Sequence, residues 1–367
     1  DGIRDKLVTG VQTCALPIYW DSLLTQRRNS YEPGVFDVRA DPPRETALAN
    51  VVRALARAER RSHPVARDHG WWGRPDRFHK PVDAGRPGPA PTGRPLLVTG
   101  RTGTLGRAFE RICAQRGLPC RVTSRQELDI CRPETARAII RASKPWAIIN
   151  TAGFVRVGEA EREKSRCILE NTEGPAILAE VAAREGIPLV TFSSDLVFDG
   201  LARRPYVESD PTSPSCVYGA SKAAAERRFV AINRRAMVVR ASAFFGPWDR
   251  YNFVYSVLAA LRRGETFSAA SDVVVSPTYV PDLVHAVLDL LIDGADGVWH
   301  LAGSEILSWR EMAQRVAGAA QLDPGLIREL SSGAARNTAL RSEKGVVLPS
   351  GADAIERCAI ALAALEP

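Results

Sequence analysis

Three side chains in this chain have the types and spacing of an acid–base device: Ser194, Tyr218 and Lys222. Tyr218-Gly219-Ala220-Ser221-Lys222 reads Y-x-x-x-K at the start of a helical stretch, and residues four apart on a helix share a face. A phenol with a pKa of about 10 is a poor acid–base group at neutral pH. An ammonium one turn away favours the phenolate and pulls that value toward working range. With Ser194 closing an upstream strand, the set suits reduction of a ketone. Tyr218 would give its proton to the carbonyl oxygen while the Ser194 hydroxyl bonds to the same oxygen and hydride reaches the carbon.

A hydride needs a carrier, and the chain offers a cradle for one in Thr99-Gly100-Arg101-Thr102-Gly103-Thr104-Leu105-Gly106. Glycine stands at the first, fourth and seventh positions of G-x-x-G-x-x-G, after a strand and opening into a helix, which is the context a dinucleotide site requires. Gly100 makes the tight turn, Gly103 lets backbone N–H groups approach the pyrophosphate, and Gly106 lets helix and strand pack closely. Thr102, Thr104 and Leu105 complete the loop, and the helix amino terminus attracts the negative charge. The second strand ends Val122-Thr123-Ser124-Arg125, without the Asp or Glu that holds the ribose 2′-hydroxyl of NAD. Arg125 could meet a 2′-phosphate instead, so NADP(H) is expected and NAD(H) is the alternative.

These groups need a scaffold. From Pro95 onward, β-rich runs at Leu96–Val98, Arg121–Thr123, Ala147–Asn150 and Leu189–Ser193 alternate with helices at Leu105–Arg116, Pro133–Ala142 and Arg166–Arg184. That alternation predicts an α/β fold, a Rossmann-type doubly wound parallel sheet with ligand at the carboxyl ends of its strands. The reductase domain is expected over 95–345, with a smaller C-terminal substrate-binding part mainly in 242–345 and a C-terminal helix or tail over 346–367.

Upstream the texture differs. Val8 to Ile18, VTGVQTCALPI, looks like the translation of a sequencing adapter, and 1–18 is set aside as an artefact. Residues 19–62 read as the remnant of an upstream domain, with a helix over Thr46–Ala58 whose Leu48, Val51, Val52, Leu55 and Ala56 share one face. Residues 63–94 are a Pro/Gly-rich linker in which Trp71 and Trp72 read as a packing staple. Residues 1–94 hold 16 Lys+Arg against 11 Asp+Glu, so most of the net +7 lies in a solvated segment. No aromatics interleave to stack bases, and nucleic acid is excluded as a partner. No run approaches the roughly 18 uncharged apolar residues of a membrane span, so no membrane association is expected. The seven cysteines show neither C-x-x-C nor His-paired spacing, which argues for a reducing cytoplasm and no metal site. Cys216 reads as a small filler, and His285 and His300 as structural.

The glycine loop, Asn150-Thr151-Ala152-Gly153, Asn171, Ser193 to Gly200, Pro214 to Lys222 with Glu226, Arg240, Ser276-Pro277-Thr278, Asp282-Leu283, Val298 to Leu301, Ser308-Trp309 and Arg336 to Lys344 together resemble one family. It is the dTDP-4-dehydrorhamnose reductase-like, sugar-nucleotide-binding group of extended short-chain dehydrogenases/reductases. The resemblance implies catalysis by Ser194, Tyr218 and Lys222. It implies dinucleotide contacts at Ala152, Gly153, Asn171, Tyr218 and Lys222, with Asp129 near the adenine. It also puts Asp195, Arg240, Ser276, Thr278 and Arg336 on the substrate side, although Asp195 and Asp199 by themselves read as loop-capping carboxylates. The implied substrate is a 4-keto sugar on a nucleotide diphosphate. The alternatives are an epimerase on the same scaffold and a non-catalytic NAD(P)-binding regulatory subunit. A homodimer fits the reading as well. Residues 19–62 weakly resemble the end of a family 1 glycoside hydrolase, which implies a fusion. The chain departs from the family at Val157-Gly158-Glu159-Ala160-Glu161, Ala243 and Asp272 to Val275, all near the expected sugar pocket, which predicts a different or bulkier sugar.

Overall fold

The computed structural model describes residues 34–57, 59, 93–345, 348 and 351–363, apart from 38, 41 and 234. The adapter-like stretch, Trp71, Trp72 and nearly all of the linker lie outside the described residues. At the amino-terminal side, β1 (Phe36–Asp37) pairs antiparallel with β2 (Arg44–Glu45) and leads into α1 (Ala47–Ala56). This unit is moored by one carboxylate far along the chain. Asp293 accepts the Ala47 N–H and a hydrogen bond from Arg44, both at 2.8 Å, so it caps the helix where backbone donors are otherwise orphaned. The expected apolar face of α1 is not the buried one. Ala49 and Ala54 are buried, whereas Val52 and Leu55 are 46% and 72% exposed. The small alanines allow a close approach, and the bulky stripe is left outward.

The central sheet has six parallel strands: β3 (Leu96–Thr99), β4 (Cys120–Thr123), β5 (Ala147–Asn150), β6 (Leu189–Ser194), β7 (Ala236–Ala241) and β12 (Gly297–His300). Their order is β12-β7-β6-β5-β3-β4. Side chains alternate between two covered faces, as strands buried on both sides must. Leu96, Val98, Ile149, Val190, Met237 and Val239 pack against α2 (Thr104–Arg116) and α8 (Val280–Ile292). Leu97, Ile148, Leu189 and Val238 face α3 (Pro133–Ser143), α5 (Gly174–Arg184) and α6 (Val217–Ile232). The expected doubly wound sheet is present, with each early strand and helix within a residue or two of its sequence-based bounds.

One helix differs. The continuous span expected over Arg166–Arg184 is α4 (Lys164–Ile168), a π-turn at Leu169–Glu173 and then α5. Pro175 has no N–H to give the Asn171 carbonyl, and the ladder widens there instead of breaking.

The chain's later part adds shorter pieces: β8 (Phe244–Phe245) with β11 (Thr278–Tyr279), β9 (Phe267–Ala270) with β14 (Ile327–Leu330), and β10 (Val273–Val275) between β13 (Leu307–Ser308) and β15 (Arg336–Asn337). A second core joins α7 (Phe253–Arg262) and α9 (Trp309–Ala319) to α10 (Gly351–Ala363). The expected tail thus contributes Ile355, Cys358 and Leu362 to a core, and Arg357 donates to both oxygens of Asp282 at 2.9 and 2.6 Å. Among the described residues no helix is long and apolar enough to cross a membrane.

Candidate active site

The strand order reverses between β3 and β5, and a crevice opens at their carboxyl ends, where open α/β sheets bind ligands. Gly100 has φ +85°, and a Cβ on Gly106 would stand 2.1 Å from the Gly100 carbonyl oxygen. Both positions therefore require glycine for the turn and for the helix to sit against it. Gly103 precedes the first turn of α2 and donates to the Gly100 carbonyl at 3.0 Å. The crevice is lined by Gly100, Thr102, Gly103, Arg125, Asp129, Cys131, Thr151, Ala152, Gly153 and Glu170, among others. A glycine floor beneath a helix amino terminus, with an arginine at the far end, fits a dinucleotide's pyrophosphate and adenosine ends. Two loop residues have other work. Leu105 packs in the core, and the Thr104 hydroxyl donates to Asp249 at 2.5 Å.

At the adenosine end, Arg125 is already engaged, donating to Glu170 at 2.8 Å with Asp129 at 3.5 Å. Glu170 also accepts from Arg166 at 2.9 Å. Burial would raise the Glu170 carboxyl, but the two guanidinium groups outweigh it and hold the value below the ordinary one. A 2′-phosphate would share Arg125 with these carboxylates. Asp129 meanwhile accepts the Cys131 N–H at 3.0 Å.

The catalytic candidates meet at the ends of β5 and β6. Lys222 Nζ donates to the Phe192 carbonyl of β6 at 3.1 Å and lies 5.8 Å from the centre of the Tyr218 ring. A Cβ on Gly153 would be 3.7 Å from that nitrogen and 2.7 Å from Asn171 Oδ1, so the loop after β5 runs directly beside both. Asn171 is buried, accepting the Phe154 N–H at 2.9 Å and donating to Ser221 at 3.1 Å. It positions the loop and the helix and presents no free face to a ligand. Burial lowers the Lys222 pKa to about 8. Tyr218 departs from the expectation that Lys222 draws its pKa down. Burial, then Asp195, Cys167 and Cys216, push it up, so the phenol keeps its proton but gives it up less readily. Cys216 is more than filler, since its sulfur accepts the Gly219 N–H at 3.3 Å and caps α6.

Ser194 ends β6, donates to Asp195 Oδ1 at 2.9 Å and accepts the Leu196 N–H at 3.1 Å. Asp195 does not point outward as a sugar contact would. It is buried, and its Oδ2 accepts hydroxyl protons from Ser242 and Thr338, both at 2.7 Å. Burial raises its carboxyl despite the three hydroxyl donors.

Three more substrate-side candidates are absorbed by the scaffold. Arg240 is 4% exposed, donates to both oxygens of Glu226 at 2.9 and 2.7 Å, and lies over the Phe198 ring. Ser276 and Thr278 are both 0% exposed and bond to the carbonyls of Leu340 and Ser276. Only Arg336 stays outward, donating to Ser215 at 3.3 Å. Buried His300 joins Arg240 to the carbonyls of Tyr206 and Arg341, the structural role expected of it. Nothing in the sequence pointed to Glu170, Ser242 or Thr338, because their contacts span 45, 47 and 143 residues. Ser193, in the family-like run Ser193 to Gly200, has a buried hydroxyl with no hydrogen-bond partner among the described residues.

A parallel sheet with a glycine-lined crevice, and a serine, a tyrosine and a lysine grouped at its edge, defines an NAD(P)-dependent oxidoreductase of the short-chain dehydrogenase/reductase type. Within that class, the chain belongs to the RmlD substrate binding domain family, whose profile matches residues 94–355. It is 34% identical over 239 residues to a dTDP-4-keto-6-deoxy-D-glucose reductase of Streptomyces niveus, covering 64% of this chain and 82% of that protein. It is also similar to the solved structure of a dTDP-4-dehydrorhamnose reductase from Clostridium acetobutylicum, with a TM-score of 0.69, 25% identity, and 73% of this chain and 99% of that one covered. The corresponding reductase of Bacillus anthracis, solved in complex with NADP, gives a TM-score of 0.68 and 26% identity over 73% of this chain and 98% of that one.

Proposed function

We propose that this protein reduces the 4-keto group of a deoxy sugar carried on a nucleotide diphosphate, with NADPH as the reductant. The observation that carries the reading is Lys222, 5.8 Å from the Tyr218 ring centre and beside Gly153 of the crevice, bound to the Phe192 carbonyl of the strand that Ser194 ends. The relatives named as dTDP-keto-sugar reductases support the substrate class, and the NADP-bound relative supports the cofactor. The dihydronicotinamide supplies the hydride when bound; the remaining work belongs to the chain. Thr102, Gly103, Ala152 and Gly153 would hold the dinucleotide through backbone groups, with Arg125 and Asp129 at its adenosine end and Lys222 at the nicotinamide ribose.

Tyr218 keeps its proton at neutral pH and is placed to give it to the carbonyl oxygen as that oxygen gains charge. Ser194 would hold the same oxygen. Arg336, the exposed cation on the β15 rim, would face the diphosphate, for which a guanidinium offers paired donors. Ala243, at φ +43°, stands where the family usually has an aromatic, and in this reading that departure would suit a sugar other than the usual one.

The test is purified protein with NADPH and a panel of 4-keto-sugar nucleotides, following loss of the reduced cofactor. Turnover of at least one sugar is expected; cofactor binding with no turnover would favour a regulatory subunit, and an exchange of hydroxyl configuration without net oxidation would favour an epimerase. The same reading includes a cytoplasmic location, supported by free thiols at Cys113, Cys120, Cys131, Cys167, Cys216 and Cys358. It also includes a homodimer, to be read by sizing. An upstream glycoside hydrolase would be sought in the gene 5′ to the codon for Tyr19.

A further inference from the structure

The bonds around Asp195 conflict with the role just given to Ser194. A serine hydroxyl has one proton and two lone pairs. Ser194 directs its proton at Asp195 Oδ1 and uses one lone pair on the Leu196 N–H. In that state it has no proton for a ketone oxygen, which can only accept. The conflict disappears if Asp195 carries a proton. Oδ2 continues to accept from Ser242 and Thr338, while Oδ1 becomes a donor, and the group it meets is Ser194 Oγ. Ser194 then accepts from Asp195 and from Leu196, both lone pairs are filled, and its own proton is free to turn to the crevice.

We propose that Asp195 is a positioning residue, held as the neutral acid, that directs the Ser194 proton toward the substrate carbonyl. The inference rests on the ketone-reduction reading. It follows from where the carboxyl is buried: three hydroxyls surround it, and among the described residues no cation pairs with it. The ionisable side chains on the elements packed there include Tyr218, Lys222 and Glu226 on α6, Arg240 on β7 and Arg336 on β15. Arg240 is committed to Glu226, Arg336 reaches Ser215, and Lys222 is bound to the Phe192 carbonyl. Transfer of a lone carboxylate out of water with only hydroxyl partners is costly, and such groups keep a proton instead. The arrangement has a second effect. An ionised Asp195 would hold back the Tyr218 proton, so the neutral form also leaves Tyr218 the better acid.

The protonation itself is read by infrared difference spectroscopy between the wild type and Asp195→Asn at neutral pH. A protonated-carboxyl band present in the wild type and missing from the variant is expected; a carboxylate band in its place would overturn the proposal. Because hydroxyl donors favour the charged form, Ser242→Ala should keep that band to a higher pH than the wild type, and an unchanged or lower titration counts against it. In kinetics, the amide of Asp195→Asn can give an N–H to Ser194 and accept from Ser242 and Thr338, as the neutral acid does. Its kcat should fall only a few-fold, whereas Asp195→Ala should fall about 100-fold, as for loss of an oxyanion donor, with dinucleotide affinity kept in both. Equal loss in the two variants overturns the positioning role. If the wild type binds NADPH but turns over no keto sugar, the reductase reading fails, and the infrared band still decides the state of Asp195.

Discussion

The half of the molecule before Ser242 and the half after it carry their chemistry differently. In the first, the reactive groups sit at strand ends and on one helix face, so short spacings determine where they go: Gly100 to Gly106 is one turn into α2, and Tyr218 to Lys222 is one turn of α6. In the second, small two- and three-stranded sheets are held together by long-range polar bonds, and candidate side chains serve those bonds. Arg240, on the last strand before the boundary, shows the change: a charge that looks like a ligand contact is the buried tie between Glu226 and His300. The lesson is that burial consumes polar groups. Where the fold is built from backbone ladders, side chains are free for catalysis; where it is built from side-chain bonds, few are left over.

This contrast predicts that removing a group left free affects turnover or binding, and that removing one consumed by a buried bond affects stability, whichever half it stands in. The largest effect should come from Tyr218→Phe, which removes the acid and should lower kcat by about 10³-fold or more with NADPH affinity nearly kept; an active variant would remove Tyr218 from that role. Next is Arg240→Met, which leaves Glu226 buried without its cation and should cost about 3–5 kcal/mol in denaturant unfolding. The folded fraction should keep its NADPH affinity, and adding Glu226→Leu should recover much of the loss. A Tm within a degree of wild type would show that this ion pair is not structural.

Arg336→Ala should raise the KM for the sugar nucleotide about 10-fold, the scale of one charge-assisted bond, without moving Tm. A rise in the KM for NADPH instead would place Arg336 at the cofactor. Above pH 8 the wild type should bind NADPH more weakly, because Lys222 is charged below its pKa of about 8 and loses its proton above it. A binding curve flat from pH 7 to 9 would refute that. The smallest effect is expected from Glu170→Gln. By loosening the hold on Arg125 it should shift the ratio of NADPH to NADH affinity a few-fold toward NADPH; a shift the other way would mean that Glu170 supports the arginine.

The early βα alternation was legible because each strand is a short apolar run and each helix carries a periodic stripe. The glycine loop was legible because only glycine tolerates φ +85° at Gly100 and the 2.1 Å approach at Gly106. The π-turn at Leu169–Glu173 could be suspected only from Pro175, and the cap of α1 not at all, since Asp293 lies 246 residues from Ala47.

What the order of residues determined alone was local: which segments are strands, where the turn must be tight, and that a phenol and an ammonium ride one helical turn apart. Folding in three dimensions decided the rest, namely which polar groups meet water and which meet one another. Asp195 faces Ser242 and Thr338 rather than a sugar because three distant segments converge there. A carboxylate's partners and proton depend on that convergence, and it has no period along the chain.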